Sequence, residues 1–352
     1  MLWFVGLGIR GAAGLSLDAR DILTRCDIIY LESFTSPIQV GDIKKIEELV
    51  GKPVTPVRRW FVEDGREIIS GAQSRQVALV TYGDPLIATT HAELRTRATK
   101  QNVATQVLHS SSGLTALIGE TGLHFYKFSR SVTIMSDLIS AISVYNVVYS
   151  NLLSGSHTLI LTEYRQDDNS GEHFLDPRLA INALIGVERD NGYGAFTEDT
   201  FIIVASRIAQ GNQSIISGAV KELASTDFGN GPHSIIVTGS LHFTESESLQ
   251  ALTRCICQPS DNSDRVNSIG RQMLKKYIPK AKSAIKSLRG LDPASSLSAS
   301  DLSVLENAEY YLQDAEKFGR DGRLELAVLS VGYAEGLIDA LRFQKGLNPW
   351  ES

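Results

Sequence analysis

The spacing of apolar residues changes character near residue 258, and that change limits the possible folds more than any other feature of the chain. Before it, short apolar runs alternate with longer amphipathic segments; after it, only helical periodicity remains. Alternation of strand-length and helix-length segments is the pattern of an α/β domain built on a largely parallel sheet. In a first domain, residues 1–110, strands are expected at 2–5, 27–31, 77–81 and 103–108, with helices over 17–25, 43–50 and 90–100. Ser16 reads as the N-cap of the first helix, with Leu17, Ile22 and Leu23 buried. A second α/β domain is expected over 111–258, with strands at 158–161, 200–205 and 234–237 and helices at 137–153, 178–188 and 214–223. The polar stretch 166–172 reads as an exposed turn.

Residues 259–264 then read as a linker, and 265–352 as an all-α module of three helices. Val266, Ile269, Met273, Tyr277, Ala281, Ile285 and Leu288 fall on one face of its first helix. The second is expected over 301–318 behind a Ser300 cap, with Tyr310 and Tyr311 in the core, and the third over 323–345. Every charged residue from Arg265 to Arg289 is Lys or Arg. The plain reading of such a face is a solvated surface; the alternative is contact with RNA, the ribosome or an acidic partner.

A chain of 352 residues exceeds what one hydrophobic core usually serves, which agrees with several domains. Hydrophobic residues at 43% and charged ones at 21% exclude a disordered chain. A net charge of −6 excludes a surface built throughout to grip phosphate, although not a local basic patch. Three cysteines, Cys26, Cys255 and Cys257, are too few for a disulfide framework and fit a reducing, cytoplasmic setting. No Cys or His group beside them completes a metal site, so no metal is assigned. The apolar start at residues 1–5 has no basic lead and no stretch approaches membrane-spanning length, so neither a signal peptide nor a span is expected.

Gly6-Leu7-Gly8-Ile9-Arg10-Gly11 satisfies the dinucleotide-binding pattern directly after a strand, and Glu32 ends the second strand where a ribose-binding acid would stand. The continuation opposes that reading. Ala12 to Leu15 intervene before the Ser16 cap, so the helix starts too late to face a diphosphate at those glycines. A structural turn, or a glycine loop that lets an adenosine ligand lie close to the backbone, remain as readings. Gly83-Asp84-Pro85 follows a buried strand at the sheet edge where open α/β sheets bind ligands. Glycine permits the sharp turn and proline fixes the next residue, so the carboxylate can be aimed into the crevice; the alternative reading is a purely structural turn in which Asp makes a local turn bond.

Several long motifs resemble the diphthine synthase family. They are Gly6-Leu7-Gly8 with Leu15-Ser16, residues 31–36 (Leu31-Glu32-Ser33-Phe34-Thr35-Ser36), residues 83–95 from Gly83 to Arg95, residues 121–128 from Thr121 to Phe128, residues 228–233 from Phe228 to His233, and Gly239-Ser240-Leu241-His242. The resemblance spans about residues 1–258 and implies a tetrapyrrole-methylase-like α/β fold of two domains, with S-adenosylmethionine in the interdomain cleft and a homodimeric assembly. It also implies methyl transfer to the amino group of a 3-amino-3-carboxypropyl-modified histidine of translation elongation factor 2. Matched motif by motif, the cofactor contacts it implies are Ile9, Asp84, Ile87, Ser112, Gly113, Thr162, Ile208 and His233. Gly113 departs from the family, which usually has a larger apolar residue there, and residues 129–148 and 166–176 match weakly. The rim of the acceptor site is expected at the loop 166–172. No catalytic residue is assigned. Two other readings stay open: a tetrapyrrole or corrin methyltransferase of the same fold, and a non-catalytic binding module acting through the basic helix. The three-helix tail resembles a small archaeal helical domain of unassigned function.

Overall fold

The computed structural model describes residues 1–167, 171–266, 269–290 and 297–348. They belong to two compact units, Met1–Val266 and Asn267–Ser352.

The first sheet is wholly parallel, in the order β3-β2-β4-β1-β5: β1 (Leu2–Gly6), β2 (Ile28–Glu32), β3 (Thr55–Val57), β4 (Val77–Thr81) and β5 (Thr105–Leu108). Its crossovers are α1 (Leu17–Arg25), α2 (Asp42–Val50), α3 (Arg59–Asp64), α4 (Arg66–Ser74) and α5 (His91–Lys100). All of β4 is buried, because helices cover both faces. Val77 and Leu79 pack with Ile68, Ala72 and Leu94, whereas Ala78 and Val80 pack with Leu23, Ile46 and Val50. A strand buried on both sides reads as an unbroken apolar run, which is why these strands are visible in the sequence. Leu17, expected inside, is 73% exposed; as the first residue after the Ser16 cap it faces solvent, while Ala19 and Leu23 carry the buried face.

The second sheet differs from the largely parallel arrangement expected. It comprises β6 (Val132–Ile134), β7 (Thr158–Thr162), β10 (Phe201–Ser206), β11 (Ser214–Ala219), β12 (His233–Val237) and β13 (Arg254–Cys255), in the order β13-β11-β10-β12-β7-β6. β10 pairs antiparallel with β11 and β12, and β12 antiparallel with β7; only β6–β7 and β11–β13 are parallel. A separate antiparallel hairpin joins β8 (Tyr164–Asp167) to β9 (Gly171–Phe174); positions 168–170 of the expected turn lie outside the described residues. Residues 214–223 are not one helix. Their first six form β11, and only Val220–Leu223 is helical (α9). The short connection from β10 cannot supply a crossover, so the chain returns as a hairpin. Helices α7 (Leu138–Leu153) and α8 (Pro177–Asn191) cover one face, and α6 (Gly113–Thr121) and α10 (Phe243–Leu252) the other.

Glu245 of α10 organises one end of this half. Its fully buried carboxylate accepts from the backbone N–H of His124 (2.8 Å) and His242 (2.9 Å), from Lys127 Nζ (2.5 Å) and from His157 Nε2 (3.0 Å). His157 Nδ1 accepts from Gly239 N–H at 2.8 Å, so the proton sits on Nε2 and the ring is neutral. Burial also pushes the His157 pKa down. Two motifs quoted above, 121–128 and 239–242, therefore meet at one carboxylate. Burial alone would raise the Glu245 pKa, but Lys127 and the backbone donors outweigh it and hold the carboxyl at about 2.

The polar stretch 259–264 is bound into the first unit. Asn262 is buried; its amide accepts from Phe201 N–H and donates to the carbonyls of Phe201 and Thr238, each at 2.8 Å. Val266, expected on the tail helix, packs into the core beneath α7 and α8.

The second unit consists of α11 (Ile269–Arg289), α12 (Ala299–Arg320) and α13 (Leu324–Gln344) around Leu274, Ala281, Ile285, Leu305, Leu312, Val331 and Ile338. Ser298, not Ser300, caps α12 in a reciprocal pair with Asp301, which places the start two residues earlier than expected. Tyr310 is 63% exposed and so not in the core; Tyr311 stacks on Tyr333 at the surface, with ring centroids 5.4 Å apart.

A chain ending at Val266 is expected to unfold at nearly the temperature of the first unit in the full protein. One ending after Pro259 loses the Asn262 bonds and should be destabilised by about 2–4 kcal/mol, since each buried group left unpaired costs about 1–3 kcal/mol; equal melting temperatures for the two truncations would refute this. Glu245→Gln should cost about 3 kcal/mol at neutral pH, the scale for breaking a buried ion pair. Because the carboxyl is depressed from 4.5 to about 2, its contribution is full above pH 4.5 and disappears as the pH falls towards 2. Acid-unfolding curves should therefore be flatter for the variant across that interval.

Candidate active site

Three chain segments cross at the C-terminal edge of the first sheet. Gly8 and Gly83 exchange backbone hydrogen bonds (3.2 and 2.9 Å), both with positive φ. A Cβ on Gly6 would lie 2.6 Å from the Gly83 carbonyl oxygen, and one on Gly8 would lie 2.6 Å from Ser111 Oγ. Glycine at the last residue of β1 and two residues beyond it is thus required by the close approach of the loops after β4 and β5. A short 3-10 helix, Gly11–Gly14, follows them, and the α-helix begins only at Leu17, with Ser16 Oγ accepting from Ala19 N–H at 3.1 Å.

Asp84 is buried at this crossing. One carboxylate oxygen accepts from Leu86 N–H (2.9 Å); the other accepts from Ser110 N–H (3.2 Å) and lies 2.8 Å from His109 Nδ1. Its loop is fixed below by His91, whose Nδ1 lies 2.9 Å from the Pro85 carbonyl oxygen and so carries the proton. Burial holds the His91 pKa at about 4, so this ring is a neutral prop. Ile87 projects from the same loop, 42% exposed. Ile9 N–H lies 3.3 Å from Ser111 Oγ, and the Ile9 side chain is the one neighbour a Cβ on Gly113 would meet, at 4.0 Å. Ser112 caps α6 through Leu114 N–H, and Gly113 is the first residue of that helix. Ile9, Asp84, Ile87, Ser112 and Gly113 therefore gather around one sheet edge, with space above Gly113.

The other three residues gather in the second half. Thr162 Oγ1 donates to the His233 carbonyl (2.9 Å), and His233 Nδ1 lies 2.8 Å from Ser206 Oγ. Burial, aided by the Arg207 charge, holds the His233 pKa at about 4, so the ring is neutral at physiological pH. Ile208 follows β10 and packs against the apolar cluster that also takes Leu114 of α6. Helix α6 thus starts at the first group and shares its core with the second.

Glu32 does not stand free as a ribose-binding acid. It is buried, and accepts from the N–H groups of Phe34 (3.0 Å) and Thr35 (3.1 Å) and from the Thr35 hydroxyl. Cys255 donates to the Cys257 carbonyl, and Cys257 Sγ accepts from Ala219 N–H. The residues that sequence reasoning passed over are His109, Ser110 and Ser111. Their signal was a run of small polar residues directly behind a strand, which is also the composition of an ordinary loop.

Residues 1–224 match the tetrapyrrole (corrin/porphyrin) methylases. A diphthine synthase of Methanocaldococcus jannaschii is 32% identical over 255 residues, 72% of this chain and 98% of the relative. The chain belongs to the diphthine synthase family of tetrapyrrole methylases. A diphthine methyl ester synthase of Kluyveromyces lactis is 31% identical over 68% of this chain and 85% of the relative. A crystal structure of diphthine synthase superposes with a TM-score of 0.62 at 28% identity, covering 75% of this chain and 99% of that one. Residues 276–347 match a separate family of unknown function, DUF357. The family makes the chain a methyltransferase, and no described helix is long and apolar enough to cross a membrane.

Asp84→Ala is expected to free the loops after β4 and β5 from each other and to lower stability by about 1–3 kcal/mol, the scale for leaving buried donors unpaired. Thermal unfolding checks it; an unchanged melting temperature would show that the glycine crossing holds without the carboxylate.

Proposed function

We propose that this chain transfers methyl groups from S-adenosylmethionine to the amino nitrogen of the 3-amino-3-carboxypropyl group carried by a histidine of translation elongation factor 2, a step of diphthamide biosynthesis in the cytoplasm. The observation that carries the reading is the near-complete coverage of a diphthine synthase by residues of this chain. The late helix start at Leu17 and the internal engagement of Glu32 speak against a dinucleotide.

The residues present suit the cofactor. Gly83 and Gly113 leave the backbone approachable: a Cβ on either would meet nothing closer than 4.0 Å. Ile9 and Ile87 offer apolar walls, and Ser112, Thr162 and the neutral His233 ring offer hydrogen-bonding groups. When bound, the cofactor supplies a methyl group on a sulfonium with a good leaving group, so the protein's work is alignment and exclusion of water. Asp84 acts by holding two loops in register. A homodimer is supported by the apolar side chains Met135, Leu138, Ile139 and Ile142, which stand 43–81% exposed around the start of α7.

Calorimetry should show binding of S-adenosylmethionine and none of NAD. Mass spectrometry should show methylation of elongation factor 2 from cells that make the aminocarboxypropyl precursor and none on unmodified histidine. An imidazole without that group places no amine at the required point, and misplacement on that scale costs orders of magnitude in rate. Equal labelling of both preparations would refute the substrate; porphyrin methylation instead would establish the ring-methylating reading. Because one relative is named a methyl ester synthase, fragmentation should locate each methyl group on nitrogen or oxygen.

A further inference from the structure

We infer that His109 is the general base that takes the proton from the acceptor ammonium. The inference rests on the methyl-transfer reading above and adds the group that makes the nucleophile.

His109 follows β5 directly, at the edge that carries Asp84, Ser112 and Gly113. Its Nδ1 lies 2.8 Å from the Asp84 carboxylate, which is buried and held by two backbone N–H groups. A carboxylate accepts, so Nδ1 carries the proton, and the lone pair of the neutral ring is on Nε2. Nε2 has no partner among the described residues, and the side chain is 67% exposed. A buried carboxylate that orients an imidazole with its outer nitrogen open is the arrangement general-base catalysis needs. Asp84 is the only ionic partner of His109 among the described residues.

The other histidines lack this combination. His91 and His157 are fully buried, and His233 is buried against Ser206. His124 and His242 belong to the cap around Glu245. His173 lies on the β8–β9 hairpin with no carboxylate bound to it among the described residues.

An alkyl amine is an ammonium at neutral pH and has no lone pair to attack with. A proton passes from that nitrogen to Nε2. The freed lone pair forms the N–C bond to the methyl group, and the electrons of the breaking C–S bond return to sulfur, leaving a thioether. His109 then releases the proton to solvent, which its exposure allows. Each methyl group added by this route releases one proton, and the cycle repeats while the nitrogen still carries hydrogen. A carboxylate acceptor would need no such base.

The test compares wild type, His109→Ala and His109→Gln; the glutamine amide retains a donor for Asp84 and separates the tie from the base. Both variants are expected to fold and, by calorimetry, to bind S-adenosylmethionine as wild type does. Methyl transfer should fall by about 100-fold or more in both, within the range lost with a general base. Added imidazole should restore His109→Ala in part, and the acid limb of the wild-type pH–rate profile should vanish in both. Full activity in His109→Gln, or a loss without imidazole rescue and with the acid limb retained, would overturn the role of His109 while leaving the methyltransferase reading intact. Methyl groups found only on carboxyl oxygen would overturn it because no proton is removed. Absence of any transfer by wild type would overturn both.

Discussion

The edge of the first sheet depends on a buried carboxylate that is fully employed. Moving a carboxylate out of water costs several kcal/mol unless donors replace the lost solvent. Asp84 has three: the N–H groups of Leu86 and Ser110 and the ring of His109. Those donors come from two loops, after β4 and after β5, and the glycines after β1 let the third loop pass between them without a side chain in the way. The spacing of the three loops is thus set by hydrogen bonds and backbone contact, not by side-chain packing, which suits a place where a ligand must touch main chain.

The same device recurs elsewhere in the first unit. Glu32 closes the turn after β2, Glu245 gathers the segments around residues 124, 157 and 242, and Asn262 joins the end of the unit to β10. Each is a buried acceptor or amide serving backbone groups that would otherwise be unpaired where a strand or helix stops. It follows that a motif with a histidine or an acid in it need not be a site. His124 and His242 lie in motifs that resemble a methyltransferase family, yet their backbone N–H groups feed Glu245.

How much could be read beforehand follows from the same physics. Strands β1, β2 and β4 are covered by helices on both faces and stand out as apolar runs, so they were legible to within a residue, whereas β3, three residues with Thr55 and Pro56 exposed, has no such run and was not foreseen. β11 was read as a helix because Ser214, Ser217 and Gly218 interrupt its apolar run, and only the pairing with β10 and β13 makes it a strand. The polar stretch 259–264 looked like a linker because nothing local reveals that Asn262 has partners some sixty positions earlier. At the site, Gly83-Asp84-Pro85 was visible as a turn, but the partner of Asp84, His109, lies 25 positions away in the loop after a different strand, so a pairing of Asp with His at that distance has no local signature.

The acid-free helix α11 shows why a charge pattern must be weighed against its own module. Lys282 and Arg289 meet Glu316 and Glu309 of α12 at 2.6 and 2.9 Å, and Lys280 approaches Glu335 of α13 at 3.7 Å. One helix carries cations and its two neighbours carry the matching acids, so much of what looks like an external basic face is spent within the bundle. Pairs as exposed as these contribute about 0–1 kcal/mol each. The apolar seam through Ala281, Ile285, Leu312 and Val331 therefore supplies the cohesion, and the segregated charges favour one arrangement of the helices over others in which like charges would face each other.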